Sequence, residues 1–274
     1  MTLVDWILVG AGALAVTGLA YGWFEAGWLR TRVLEIELPG LPPELDGLRI
    51  AHLSDFHLGT PSRGLVATER AIAWTESRDP DLVVVTGDLL SHPRGEPRLR
   101  ELVGRLARPY VVLGNHDIAS TKDPLSRAVK LDDLGDAILL GDEAVEVTVR
   151  GARIQIVGVA PQSYLARTAD PWRLADPTAA FRILVCHFPG IVRRPPPTPV
   201  FDLVLTGHHH AGQIAVPYPG GRLAFAHPRA KDLVGLIPTR AGLMHVSPGL
   251  GTSLIPVRFF ARPEVTELVL RSAP

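Results

Sequence analysis

Five short apolar runs, each followed at once by Asp, Asn or His, constrain this chain more than any other feature. The runs are LRIAHLS (48–54), LVVVT (82–86), YVVL (110–113), RILVC (182–186) and DLVLT (202–206). Each has strand length and is rich in Val, Ile and Leu, as strands buried on both faces are. After the first comes DFH, with Asp55 and His57, and after the second GDLL, with Asp88. GNHD follows the third, with Asn115, His116 and Asp117; His187 follows the fourth; GHHH follows the fifth, with His208, His209 and His210. In open α/β sheets, ligands bind at the carboxyl ends of the strands. Each piece alone is weak, since Gly-Asp is an ordinary turn and a lone histidine is more often structural. The ordered set, every member on a strand terminus, is hard to produce by accident.

Helix-like segments lie between the first three runs, around Val66–Ser77 and Pro97–Leu106. Region 137–159 alternates and turns, with AVEVTV, RGA and RIQIVGV, and predicts a β-hairpin. LEIELPGLPPELDGL reads as a strand and a Pro-rich turn, and RRPPPTP (193–199) as a surface loop. LVGLIP (233–238) and SLIPVRFF (253–260) read as core strands, with a lipid-facing surface as the alternative, and LMHVSPGL through PEVTELVL gives further short strands. The expected body is an α/β domain of two packed sheets with helices outside.

The N-terminus differs. Trp6 to Phe24 is 19 residues without a charge. As a helix it spans roughly 28 Å at about 1.5 Å per residue, close to the hydrocarbon thickness of a bilayer. Trp6, Tyr21, Trp23 and Trp28 stand toward its ends, as interfacial anchors do. A cleaved signal peptide is the rival, with GLA ending at Ala20, but only Asp5 precedes the run and a basic n-region is missing. A buried core helix is the other. The reading adopted is an uncleaved single-pass anchor in the cell membrane, 1–30, followed by one domain, 31–274. Arg30 and Arg32 after the span put that domain on the cytoplasmic side by the positive-inside rule.

Lys+Arg and Asp+Glu both total 28, so no nucleic-acid polyanion is expected as partner, and no protein partner is implied. The single cysteine, Cys186, excludes an intrachain disulfide and a Cys-rich zinc cluster. Carboxylate, amide oxygen and imidazole without thiolate suit divalent Mn, Fe, Co, Ni or Zn. The donors are too many for one ion and enough for two. Two-metal hydrolases hold ions about 3.5–4 Å apart and share a hydroxide made acidic by both.

The order DFH…GDLL…GNHD…H…GHHH, over residues 55 to 210, resembles the calcineurin-like metallophosphoesterase signature. LDGLRIAHLSDFHLG and SPGLGTSLIPVRFFARPEVTELVL further resemble its membrane-anchored bacterial branch, which includes enzymes proposed to act on nucleotide-linked lipid precursors. The resemblance implies a four-layer α/β/β/α sandwich. It implies Asp55, His57 and His210 on one metal, Asn115, His187 and His208 on the other, and Asp88 bridging them. His116 would protonate or hydrogen-bond the leaving oxygen, and Asp117 would orient His116 and raise its pKa. His208 and His210 are expected on one side of an extended segment, with His209 facing away. The branch usually has Gly where Ala211 stands. His52, His92, His227 and His245 match no metal block; His227 is expected in a surface or structural role, with lining the pocket as the alternative.

The function expected is hydrolysis of a phosphodiester or pyrophosphate by a metal-bridging hydroxide, on a soluble ester or on a membrane or nucleotide-linked lipid. A non-catalytic scaffold binding a protein partner is the rival class, but such proteins typically lose ligands or the catalytic His, and every one is present here. A nuclease is disfavoured by the balanced charge and the lack of a basic, aromatic-interleaved stretch.

Overall fold

The computed structural model describes residues 2–193, 195, 198–219, 221–230 and 232–273. It opens with helix α1 (Leu3–Glu25), followed by β1 (Arg30–Leu38), β2 (Arg49–Leu53), α2 (Gly64–Arg78), β3 (Leu82–Thr86), α3 (Glu96–Val103), β4 (Tyr110–Val112) and β5 (Ile138–Leu139). The second half holds β6 (Ala144–Val149), β7 (Ala152–Gly158), α4 (Pro161–Ala166), β8 (Phe181–Val185) and β9 (Leu203–Thr206). It ends with β10 (Ala215–Tyr218), β11 (Gly221–Ala224), β12 (Gly235–Thr239), β13 (Gly242–Val246) and β14 (Glu264–Ser272).

The continuous apolar runs are strands with a core on each face. In β3, Leu82 and Val84 face one cluster while Val83 and Val85 face another, following the period of two of a pleated strand. β8 and β9 do the same: Ile183 and Leu203 enter the first cluster, Leu184 and Val204 a third. The first cluster is the filling between two six-stranded sheets, ordered β1-β14-β2-β3-β4-β5 and β12-β13-β9-β8-β7-β6. Outside the first sheet, Ala71 and Ile72 of α2 and Leu99, Leu102 and Val103 of α3 close the second cluster. Outside the second, Tyr164 of α4 and Trp172 pack with Phe188 and Phe201. The result is the α/β/β/α sandwich, with a thin outer layer on the second sheet. β2, β3, β4 and β5 run parallel, as do β7, β8 and β9, so each sheet gathers its carboxyl ends at one edge. The β6–β7 hairpin and both expected helices form where the sequence placed them.

Two readings are corrected. Residues 253–260 form no strand: Leu254 and Phe260 adopt φ of 63° and 53°, both side chains are exposed, and the segment makes only the isolated Ile214–Phe259 bridge. Segment 233–238 becomes the edge strand β12, which alternates in exposure and is not core. Of the expected surface loop 193–199, residues 194, 196 and 197 lie outside the described residues.

α1 is capped by Thr2 and Asp5, which exchange hydrogen bonds in a capping box, and it is apolar all round. It is the one helix among the described residues long and apolar enough to cross a membrane. Its last turn packs on the domain. The Arg258 N–H donates to the Gly22 carbonyl (3.0 Å), and the Ala261 N–H donates to Glu25 Oε1 (2.7 Å). A Cβ at Gly22 would stand 2.6 Å from the Phe259 ring. β1 then begins at Arg30 and pairs in parallel with β14 from Glu264 onward, so residue 31 lies inside a strand.

Candidate metal centre

The strand ends bend sharply at the site. Asp55, His57, Asp88, His208 and His210 all have positive φ, between 48° and 71°. Each such residue costs of order 1–3 kcal/mol, a strain that concentrates at functional sites. The surrounding backbone fixes these bends: the Asp55 N–H donates to Gly87 O and the His57 N–H to Asp88 O, both at 2.9 Å. Two glycines are required by close approach. A Cβ at Gly114 would meet Asp88 Oδ1 at 2.1 Å, and one at Gly207 would meet Ser54 Oγ at 2.0 Å.

Two groups of donor atoms converge there, each within 4.8 Å: Asp55, His57, Asp88 and His210 form one, and Asp88, His187 and His208 the other. In the first, His57 Nε2 lies 3.0 Å from His210 Nε2 and 3.5 Å from Asp88 Oδ2, and His210 Nε2 lies 3.2 Å from Asp55 Oδ1. In the second, His187 Nε2 lies 3.2 Å from Asp88 Oδ2 and 3.1 Å from His208 Nδ1. Asp88 Oδ2 therefore faces both groups, while its Oδ1 accepts the His116 N–H at 2.8 Å. Asn115 Oδ1 is buried and has no hydrogen-bond partner among the described residues.

The chemistry of this donor set fits divalent cations. An orphaned amide oxygen in a buried site is costly unless something electropositive meets it. The His187 Nδ1–H is committed to Thr86 O (2.7 Å), so its Nε2 turns to the Asp88 carboxylate as a lone pair or a charged N–H. Burial would lower the His187 ring, but the Asp88 charge raises it to about 9. Burial would raise Asp88 and Asp55, but His187 and His210 respectively hold both carboxyls below the usual range. His57 and His208 are pushed down by burial, and then by His116 and His187. His57 and His208 thus stand neutral beside ionised carboxylates, the form that binds metal, whereas His187 must give up its proton to become a ligand.

The site residues are thus brought together, with differences from expectation. The Asp117 carboxylate accepts the Leu90 N–H (2.9 Å) and the Gly114 N–H (2.8 Å), and no hydrogen bond to His116 occurs among the described residues. It braces the β3 and β4 loops and does not hold the His116 ring. Burial and the Asp88 charge push its carboxyl up to about 7. The His116 ring meets Ser91 Oγ (3.5 Å) and Thr121 Oγ1 (3.2 Å). Burial lowers its pKa, opposite to the expected rise. GHHH is not extended: His208 and His210 adopt φ of 71° and 50°, and a 3-10 turn follows at His210–Gly212. These bends, not strand alternation, deliver His208 and His210 to separate groups. His209 Nδ1 donates to Asp232 O at 2.6 Å. His227 stands at the site, its ring centroid 4.8 Å from that of His208 and 4.9 Å from that of His209.

Supporting residues were missed because only the fold assembles them. Ser91 Oγ holds His57 Nδ1 (2.8 Å), and fully buried Arg258 reaches His210 Nδ1 (3.4 Å) while binding the carbonyls of Pro248, Gly251 and Ala261. Behind Asp55 runs a buried relay. Ser54 Oγ donates to Asp55 Oδ2 (2.5 Å), and Thr86 Oγ1 donates to Ser54 Oγ (2.7 Å). Thr86 must then accept from His52 Nε2 (2.9 Å), which makes His52 Nδ1 the acceptor from His245 Nδ1 (2.7 Å). His245 Nε2 is left without a partner among the described residues.

Residues 48–212 match the calcineurin-like phosphoesterase family, and the chain belongs to it. It is a metallophosphoesterase, a hydrolase of phosphoester bonds. Among similar proteins is the metallophosphoesterase YkoQ of Bacillus subtilis, 28% identical over 83% of this chain and 84% of the relative. The UDP-2,3-diacylglucosamine pyrophosphatase LpxG of Chlamydia trachomatis is 28% identical over 92% of this chain and 93% of its own. A transmembrane protein with metallophosphoesterase domain from Danio rerio is 31% identical over 95% of this chain, which spans 62% of that relative.

Proposed function

We propose that the protein is a membrane-anchored, dinuclear metal-dependent phosphoesterase that hydrolyses a pyrophosphate or phosphodiester carried by a membrane lipid. The observation that carries the dinuclear reading is Asp88 Oδ2, which faces both donor groups. Asp55, His57 and His210 would hold one ion, and Asn115, His187 and His208 the other, with Asp88 between them. Bound divalent ions supply Lewis acidity and an acidified water. The chain supplies the rest. The buried carboxylates and imidazoles hold the donor atoms in fixed positions. His116, held neutral by burial, donates an N–H to the leaving oxygen.

The substrate class is supported by three features. α1 would tether the enzyme beside lipid, raising the effective concentration of membrane-held substrate. A cavity of about 300 Å³ at Asn115 and His208 is also lined by Tyr164, Phe188 and Arg193. A neighbouring cavity of about 440 Å³ shares Tyr164 and Arg193 and adds Trp172 and Ile191, giving an aromatic groove with a cation for a substrate larger than a simple ester. The similarity to LpxG points to a nucleotide-linked lipid. Arg30 and Arg32, directly after the span, support a cytoplasmic catalytic domain by the positive-inside rule.

Chelation tests the reading. The purified full chain should carry two divalent ions by elemental analysis and hydrolyse bis(p-nitrophenyl) phosphate. Removing the ions should abolish turnover, and Mn should restore both content and rate. Full activity in a metal-free preparation, or saturation at one ion, would sink the dinuclear mechanism.

A further inference from the structure

A cavity of about 460 Å³ lies where the end of α1 meets the domain, apart from the metal centre. Arg30, Arg32, Arg222 and Arg262 line it, together with Glu25. Arg30 pairs with buried Glu264. Arg262 is held by the carbonyls of Trp28 (3.0 Å) and Leu29 (2.9 Å), its guanidinium 3.9 Å above the Trp28 ring. Arg32 and Arg222 have no carboxylate partner among the described residues. Four guanidinium groups thus converge against two carboxylates, in a chain whose overall charge is balanced. Guanidinium forks match phosphate oxygens bidentately.

The second observation is Glu25. Its side chain is fully buried and the residue lines the cavity; one oxygen accepts the Ala261 N–H, and the other has no hydrogen-bond partner among the described residues. A buried carboxylate oxygen with no donor is costly. A ligand that carries a hydroxyl beside its phosphate would satisfy it.

The third observation is depth. α1 has 23 residues, about 34 Å at 1.5 Å each, against a hydrocarbon core of about 30 Å. Its last residue, Glu25, therefore emerges among the headgroups. Trp23, Phe24 and Trp28 are exposed around this end, as an interfacial aromatic belt is. On the far rim, the β10–β11 hairpin exposes Tyr218, Leu223 and Phe225 around Arg222. Apolar residues around a basic cavity describe a face that rests on a membrane.

We infer that this cavity binds the phosphate of an anionic, hydroxyl-bearing phospholipid headgroup, and that the contact sets the tilt of the catalytic domain on the bilayer. The inference rests on the membrane reading of α1 and not on the hydrolase chemistry.

The full chain, delipidated in detergent, is titrated with phosphatidylglycerol, phosphatidylcholine and inorganic phosphate, and adducts are followed by native mass spectrometry. Phosphatidylglycerol should bind best, because phosphatidylcholine has no net charge and no hydroxyl for Glu25. The Arg32→Gln/Arg222→Gln variant should bind it at least about tenfold more weakly, since two charge-assisted contacts are lost. Lysine at both positions should recover most of the binding. The glutamine variant should still hydrolyse bis(p-nitrophenyl) phosphate at the parental rate, which shows that the domain is folded. Equal phosphatidylglycerol affinity in the variant would overturn the site. Equal affinity for phosphatidylcholine, or tight phosphate binding without lipid preference, would overturn the headgroup assignment. Carbonate extraction of membranes reports on the anchor separately.

Discussion

At the residue scale, the candidate metal donors were legible because each follows a strand that hydrophobicity alone reveals. Their neighbours were not, because Ser91, Arg258 and the His52–His245 pair acquire meaning only when distant segments meet. Asp117 shows the limit: adjacent to His116 in sequence, it spends its carboxylate on backbone N–H groups of two loops. The proposed roles predict different losses. Asp88→Ala should empty both metal positions, because Oδ2 faces both donor groups. His116→Ala should keep both ions and lose about 10²–10⁴ in rate. Metal content beside kcat separates the two, and an ion-free His116→Ala protein would make His116 a ligand. The buried pair makes a pH prediction. Burial holds the His245 ring down to about 3 and His52 well below its ordinary value, so both are neutral in the native state. The unfolded chain takes up protons near 6.5, so stability is complete above that value and falls as pH drops toward 3. The slope is about 1.4 kcal/mol per pH unit for each such histidine. Urea midpoints of the metal-loaded protein should fall between pH 6.5 and 4.5, and His245→Gln should lessen that fall by one histidine's worth. An unchanged slope would mean that His245 is protonated in the native state.

At the element scale, β3, β8 and β9 were readable because burial on both faces leaves an unbroken apolar run. Residues 253–260 look equally apolar yet form no strand. Part of that run packs on α1, through Val257 and Phe259 against Gly22, while Leu254, Ile255 and Phe260 face outward. Hydrophobicity cannot distinguish a strand from a docking loop for another element. The turn at GHHH was misread for a related reason, since non-glycine residues in the left-handed region carry no sequence mark. The docking of α1 bears on where the chain can be cut. Starting at Glu35 removes Arg30–Leu34 of β1 and bares the Glu264–Leu268 edge of β14. It also removes Glu25, which holds the Ala261 N–H beside Arg258. Several ladder hydrogen bonds at about 1 kcal/mol each are lost. A chain starting at Gly22 keeps all of these contacts. Its thermal midpoint should match that of the full protein in detergent, whereas the Glu35 start should melt several degrees lower. Equal midpoints would show that the last turn of α1 and the first half of β1 add nothing to the fold.

At the scale of the whole molecule, the anchor, the basic cavity and the metal centre lie along one path through the chain. α1 ends at Glu25, whose partner Ala261 also binds Arg258, and Arg258 reaches His210. Composition marks the candidate anchor and the motifs mark the candidate centre, but the path between them needs the packed structure. It sets apart two consequences of removing the span. The metal centre and Glu25 survive in a chain starting at Gly22, so bis(p-nitrophenyl) phosphate, which needs only the centre, should be hydrolysed at a similar rate. A lipid pyrophosphate embedded in vesicles should be hydrolysed much more slowly, because the enzyme no longer shares its membrane and loses the effective concentration that tethering supplies. Restoring residues 1–21 should restore the vesicle rate and leave the soluble rate unchanged. Equal rates on vesicles with and without the span would refute a membrane-held substrate and move the assignment to a soluble phosphodiester. The same full-length protein reports its orientation through a cysteine placed near the C-terminus, since native Cys186 is buried. A membrane-impermeant reagent should leave that cysteine unlabelled in intact spheroplasts and label it after lysis; labelling before lysis would put the catalytic domain on the outer face.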